Sequence, residues 1–241
     1  MQFCAHMQKR LLFIVFLGLI AFSGYGQYGR PQITGTLGIA IPVNEFSKAD
    51  PGDQAYFGMG VDLSFPILKD TPLRLGLDFR YFWMGNRDRN VDIIDTMGVF
   101  QYNLNSKVSG GMMPIHLRAR IDFMNIYNYP VLPYAGGFYG LKVFSIARTF
   151  EFDYEDGTEP FDESERSTST TVSYGFELGL HIRVTSHLLI DVRYERAFGG
   201  RANYLDVSSI EIDDEGFVSY DQLNTRTDVD MFTVGAILEL D

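Results

Sequence analysis

From residue 33 onward the chain alternates apolar and polar side chains with a period of two, the signature of a strand with two unlike faces. In Phe57–Ile67, the positions Phe57, Met59, Val61, Leu63, Phe65 and Ile67 share one face, and Gly58, Gly60, Asp62 and Ser64 share the other. Leu73–Trp83 sets Leu73, Leu75, Leu77, Phe79, Tyr81 and Trp83 against Arg74, Gly76, Asp78 and Arg80. Met113–Phe123 sets Met113, Ile115, Leu117, Ala119, Ile121 and Phe123 against His116, Arg118, Arg120 and Asp122. In Val172–Arg183 the apolar set is Val172, Tyr174, Phe176, Leu178, Leu180 and Ile182, opposed by Ser173, Gly175, Glu177, Gly179, His181 and Arg183. Ile33–Ile41, Leu188–Phe198 and Phe232–Leu240 follow the rule more loosely. A fifth strand over Val131–Ser145 is blurred by Gly136, Gly137 and Gly140, and its faces stay unassigned. The expected fold is all-β: a closed, antiparallel, up-and-down barrel of about eight strands.

The links alternate in length. Short ones fall at Leu68–Pro72, Met124–Pro130 and Thr185–His187, and long polar ones at Pro42–Gln54, Gly85–Gly110, Arg148–Thr170 and Gly199–Thr227. Short turns at one end and long loops at the other mark an outer-membrane barrel. Strands of about 10–12 residues cross a bilayer at a tilt, and closure leaves no backbone group unpaired in lipid. A soluble barrel of lipocalin type, with the apolar face inward, is the structural rival. Bulky aromatics near strand ends (Phe57, Phe65, Tyr81, Trp83, Phe123, Tyr174, Tyr194, Phe198) suit membrane-interface girdles instead.

Once lipid is granted, the charges must point inward. An arginine on the lipid face near the midplane costs about 2–4 kcal/mol, and a folded domain holds only about 5–15 kcal/mol in all. The predicted lumen network is therefore Asp62, Arg74, Asp78, Arg80, His116, Arg118, Arg120, Asp122, Lys142, Glu177, His181, Arg183, Asp191, Arg193 and Glu195, with Glu239 at its edge. Buried charges are tolerated when paired and hydrogen-bonded, so a salt-bridge lattice that plugs the lumen is the first expectation. A gated path for ions or small solutes along the same charges is the alternative.

The first residues read as an export signal over residues 1–26. Lys9 and Arg10 precede an apolar run from Leu11 to Phe22, followed by Ser23, Gly24, Tyr25, Gly26 and Gln27. The run is too short to span a bilayer as a helix. Gly24 and Gly26 suit cleavage before Gln27, a cut after Ser23 is the other possibility, and Met7 competes with Met1 as the start. The barrel domain is then residues 27–241. Cys4, the only cysteine, leaves with the leader, which removes disulfide and cysteine-metal chemistry and a lipoprotein anchor. Loss of Lys9 and Arg10 takes the net charge from −11 to −13, which excludes nucleic acid as a partner. Aromatic content (20 Phe, 14 Tyr) and 24 glycines fit a crowded sheet.

Through Phe57–Ile67, Leu73–Trp83, Met113–Phe123 and Val172–Val184, the leader and the terminal strand, the chain resembles the small eight-stranded outer-membrane barrels, the OmpA-transmembrane-domain and OmpX-like family. Porin-family outer-membrane β-barrel domains share this architecture. The resemblance implies a bacterial outer-membrane location and insertion by the barrel-assembly machinery. It also implies contact with outer-membrane lipid or lipopolysaccharide, and a role in envelope integrity or in surface or secretion-complex contact. Lipid-modifying enzymes also occur on this fold. Two departures stand out: the end Leu238-Glu239-Leu240-Asp241 lacks a terminal aromatic residue, and no soluble domain follows.

Candidate chemistry is sparse, and no catalytic residue, cofactor or metal site is expected. His116 and His181 fall on the lumen face, His187 in a short turn, and Ser173 shares a face with His181. A nucleophile and base at the loop-end rim, as acyl transfer on outer-leaflet lipid requires, does not emerge from this spacing. Acidic clusters at Glu151–Glu165 and Glu211–Glu215 read as solvated loops, with divalent-ion binding the alternative. Phe150, Phe152, Tyr154, Phe161, Phe217 and Tyr220 suit either a protein partner or loops packed on themselves.

Overall fold

Each alternating stretch forms a strand that pairs antiparallel with its neighbour in the chain, and the first and last pair to close a barrel. The computed structural model describes residues 30–49, 55–67, 72–94, 101–123, 130–154, 161–205, 211–212, 218–219 and 221–240; the leader reading over 1–26 lies outside them. The strands are β1 (Gln32–Pro42), β2 (Tyr56–Pro66), β3 (Leu73–Ile94), β4 (Gln101–Asp122), β5 (Val131–Tyr154), β6 (Phe161–Arg183) and β7 (Leu188–Gly199). Four short strands follow, β8 (Arg201–Leu205), β9 (Glu211–Ile212), β10 (Val218–Ser219) and β11 (Gln222–Arg226), before β12 (Val229–Glu239) closes the sheet. Among the described residues one helix, α1 (Glu45–Ala49), lies between β1 and β2.

Register fixes the barrel's shape. Traced once round, the paired residues Tyr56, Ala40, Met231, Glu195, Glu177, Gly136, Arg120, Arg74 and Pro66 return to β2 ten residues from the start. With eight strands that stagger tilts them by about 40°. A barrel of this size encloses a lumen that side chains alone fill.

The faces sort by polarity in the direction that excludes the soluble rival. Leu37, Phe57 and Leu178 are 67%, 69% and 51% exposed on the outside, while Asp78, His116, Lys142 and Glu195 are 0% exposed within. Phe57, Trp83, Tyr139 and Tyr174 ring the exterior towards the loop end, and Phe123 lies at the turn end. β5, unassigned from sequence, turns Leu132, Tyr134, Phe138, Lys142 and Phe144 inward and Val131, Tyr139 and Leu141 outward.

Two expected loops are strands. Gly85–Gly110 continues the β3–β4 ladder to Ile94↔Gln101, and Arg148–Thr170 continues β5–β6 to Phe152↔Phe161. The four strands stay paired above the barrel proper, whereas β7 and β12 stop at its rim. The barrel therefore has a tall side and a short side. A bulge between Trp83 and Gly85 marks where β3 leaves the barrel, and Gly85 takes φ +129, a conformation that suits glycine.

A second departure lies inside. The loop-end part of the lumen is apolar: Phe46 of α1 packs on Tyr204 of β8 (ring centroids 4.8 Å), Phe144 (6.0 Å) and Tyr56 (6.1 Å). Phe82, Met112, Phe138 and Met231 join this plug. β7 turns over the mouth at Gly199–Gly200 and returns through β8 and β11, whose register partners are Arg201↔Arg226 and Tyr204↔Leu223. Asn44, at φ 58, enters α1 and donates to Asp228 Oδ2 at 2.8 Å, fixing the helix to the rim.

Gly140 shows how closely the wall is built. A Cβ there would strike the Ile115 carbonyl and the His116 backbone, neither of which yields as a side-chain tip would. Gly140→Ala is expected to lower the unfolding free energy by about 1–3 kcal/mol, read as a shifted urea midpoint in the fluorescence of Trp83, the sole tryptophan.

Candidate functional site

Register sets like charges side by side on the lumen wall. Asp62 opposes Asp78 across β2–β3, Glu177 opposes Glu195 across β6–β7, and Arg74 opposes Arg120 across β3–β4. Such cross-strand pairs repel, so each needs an opposite charge from another wall.

Arg118 of β4 supplies it to the two carboxylate pairs. Its guanidinium reaches carboxylates from both sides of the lumen: Asp78 at 3.0 Å, Glu195 at 2.7 Å, Asp62 at 3.5 Å, and Glu177 in a short contact. Arg193 of β7 adds Asp191 at 2.8 Å and Asp62 at 3.3 Å, and Arg80 joins Asp78 (2.9 Å) to Glu195 (2.5 Å). These side chains are almost fully buried. Nearer the turns the charged groups also hydrogen-bond to neutral ones. Arg120 donates to Gln32 Oε1 at 3.0 Å and sits 3.4 Å from Asp122, while Gln32 donates to Glu239 at 3.1 Å. Arg74 donates to the Arg30 carbonyl at 2.6 Å. Leu132, Leu189 and Ile237 form a small apolar cluster at that end.

The remaining predicted residues are placed differently. Lys142 lies near the apolar plug, apart from the lattice, and donates to the Thr227 carbonyl at 2.6 Å. Arg183 lies at the turn end of β6, half-buried. His181 packs on the Tyr134 ring (4.4 Å) and lies 3.4 Å from Asp191. Tyr134, hidden from sequence reasoning by the blurred β5, donates to Asp191 Oδ1 at 2.7 Å and supports Arg120 over its ring at 4.8 Å.

Ser173 finds a different histidine from the one its face suggests. His116 Nε2 is 2.9 Å from Ser173 Oγ, reached across Gly140, which lies between them in the register. His116 Nδ1 is 3.7 Å from Asp78 Oδ2, too long for a hydrogen bond. The order Ser–His–Asp resembles a nucleophilic triad. All three residues are 0% exposed, and Phe138 stacks on the imidazole at 4.5 Å. The plug closes the loop-end approach, so the arrangement braces the wall. His187 sits in a short turn, 2.9 Å from Arg30 Nη1. The acidic clusters fall partly outside the described residues, at 155–160 and 213–217.

Eight antiparallel strands, a stagger of ten, apolar side chains outside and a paired charge lattice within decide the architecture. The fold is that of a small eight-stranded outer-membrane barrel. No protein-family model matches the chain, and no curated protein matches it. Among solved structures it is similar to Neisserial surface protein A (14% identity, TM-score 0.48, covering 87% of this chain and 97% of that one). It is also similar to a major outer membrane protein from Thermus thermophilus (12% identity, TM-score 0.45, 87% and 99%). A third is Ail, the attachment invasion locus protein of Yersinia pestis (12% identity, TM-score 0.39, 89% and 100%).

Removing the hub tests the lattice. Arg118→Met leaves four carboxylates without their common partner and is expected to cost about 3–5 kcal/mol in urea unfolding. Adding Glu177→Gln relieves part of that repulsion, so the double variant falls short of the summed single effects by about 0.5–3 kcal/mol.

Proposed function

We propose that the chain is an integral protein of the bacterial outer membrane, exported through a cleaved leader and inserted by the barrel-assembly machinery. Its role is structural or one of interaction, through contact with a surface or secretion-complex partner, without catalysis. One observation carries the reading: apart from the Arg196–Asp230 pair, the outside of the barrel is an apolar wall, and the charges of the lumen lattice are sealed inside. Exposed apolar area on this scale needs a cover, and hydrocarbon covers a closed barrel on all sides.

The tall side gives the interaction role a surface. β3 to β6 rise beyond the barrel as a four-stranded sheet, with β6 unpaired by β7 above Ser173. Polar, exposed Arg166, Ser167, Thr168 and Thr170 lie along that edge. A partner in a surface or secretion complex would meet this sheet and the acidic segments around it. Transport of ions or small solutes is the weaker reading, because α1 and the β8–β11 hairpin fill the mouth and Arg118 crosses the lumen below.

Two measurements test this. Leu178→Arg is expected to lower stability in lipid vesicles by about 2–4 kcal/mol; a change within about 0.5 kcal/mol would place that face in water. In planar bilayers the refolded wild type is expected to stay silent, and steady ohmic steps would overturn the plugged lumen.

A further inference from the structure

The short side of the barrel carries cations that the lumen lattice does not use. On the outer face, Arg196 and Asp230 are register partners, joined at 2.7 Å, and Tyr194 donates to the same carboxylate at 3.0 Å. Arg196 also lies over the Phe198 ring at 5.7 Å. A lone charge on a lipid-facing wall is costly except near the interface. A neutralised, half-buried pair beside aromatic rings therefore marks the edge of the hydrocarbon on this side.

Next along the chain, past the bend at Gly199–Gly200, stand two more arginines. Arg201 and Arg226 are direct register partners across β8–β11, and both side chains are exposed. Like charges directly opposite in an antiparallel pair destabilise it. Glu45 compensates only in part: it lies 3.7 Å from Arg201 Nη2 with both groups about half exposed, and it also accepts from the Arg226 backbone N–H. Among the described residues no carboxylate lies within ion-pair distance of the Arg226 guanidinium. Lys48 is exposed on α1, which packs against β11. A chain of net charge −11 thus gathers exposed positive charge at one place on its rim.

We propose that Arg201 and Arg226 form a fork for the phosphate of an outer-leaflet lipid headgroup. Guanidinium groups bind phosphate oxygens bidentately, and basic sites at the membrane surface select anionic headgroups. Continuity with the lipid-facing pair Arg196–Asp230 favours a lipid over a soluble acidic protein. The assignment rests on the outer-membrane reading and names the lipid chemistry it would meet.

The test uses full-length protein refolded into phosphatidylcholine vesicles containing bisphosphorylated lipid A, with bound lipid counted by native mass spectrometry after extraction. Arg201→Gln/Arg226→Gln is expected to retain about tenfold less lipid A than wild type. Lys107→Gln, which removes an exposed cation from the tall side, is expected to match wild type. Dephosphorylated lipid A should bind wild type about tenfold more weakly, and inorganic phosphate should not displace the lipid. Equal retention by the double variant, or equal binding of the dephosphorylated lipid, overturns the proposal. Displacement by inorganic phosphate would assign the fork to free phosphate, and displacement by polyglutamate to an acidic protein; either outcome also overturns it. Insertion is scored separately by heat-modifiable migration. A wild type that fails to insert sinks the outer-membrane reading, whereas an inserted wild type indifferent to lipid phosphate sinks this site alone.

Discussion

An ion inside this barrel has neither bulk water nor a second protein layer to turn to, so it must be satisfied by another ion or a polar group of the same lumen. That single requirement organises the interior. The register sets Asp62 beside Asp78 and Glu177 beside Glu195, arrangements that no isolated hairpin would favour. They become tolerable when the sheet curls and Arg118, Arg80 and Arg193 span between walls. The lattice therefore rewards the closed barrel and penalises the open sheet. The closing seam is built to match: β1 and β12 contribute Thr34, Thr36, Gly38, Thr233 and Gly235 inward, small residues that leave room for arms from the other walls.

Much of this architecture is legible because a membrane barrel inverts the usual polarity and leaves two sharply different faces. β2, β3, β4 and β6 show that contrast residue by residue, and their faces read correctly. β5 does not, because its inward side carries Leu132, Tyr134, Phe138 and Phe144; both of its faces are apolar and the period disappears. The upward extensions of β3–β6 look like loops for the opposite reason. Segments such as Asn86–Asn90 and Ser164–Thr170 are polar at nearly every position, so nothing marks a period, although their ladders are regular.

The charged face can be assigned from the alternation, but the partners cannot. Partner choice depends on stagger and on reach across the axis, which a linear pattern does not encode. Arg118 is one arginine among several in the sequence and becomes the hub only through its position at mid-lumen. Ser173 lies eight residues from His181 on one strand, yet it meets His116 two strands away because Gly140 leaves the path open. Lys142 shares the polar face by alternation, but the height at which β5 carries it puts it with the plug and the Thr227 carbonyl.

The apolar plug and the charge lattice depend on one another. Ion pairs weaken steeply as the local dielectric rises towards that of water, and the loop end is where water has access. Phe46, Tyr204, Phe144 and Tyr56 occupy that end, and they hold the arginines and carboxylates below in a medium where pairing is strong. The plug in turn needs a rigid rim, which Asn44–Asp228 and Lys142–Thr227 supply at its edge. A barrel plugged by charges alone would be softest at its wet mouth. Here the hydrophobic effect guards the mouth and electrostatics brace the waist, so the loop-end surface is free to vary without loosening the wall that carries it.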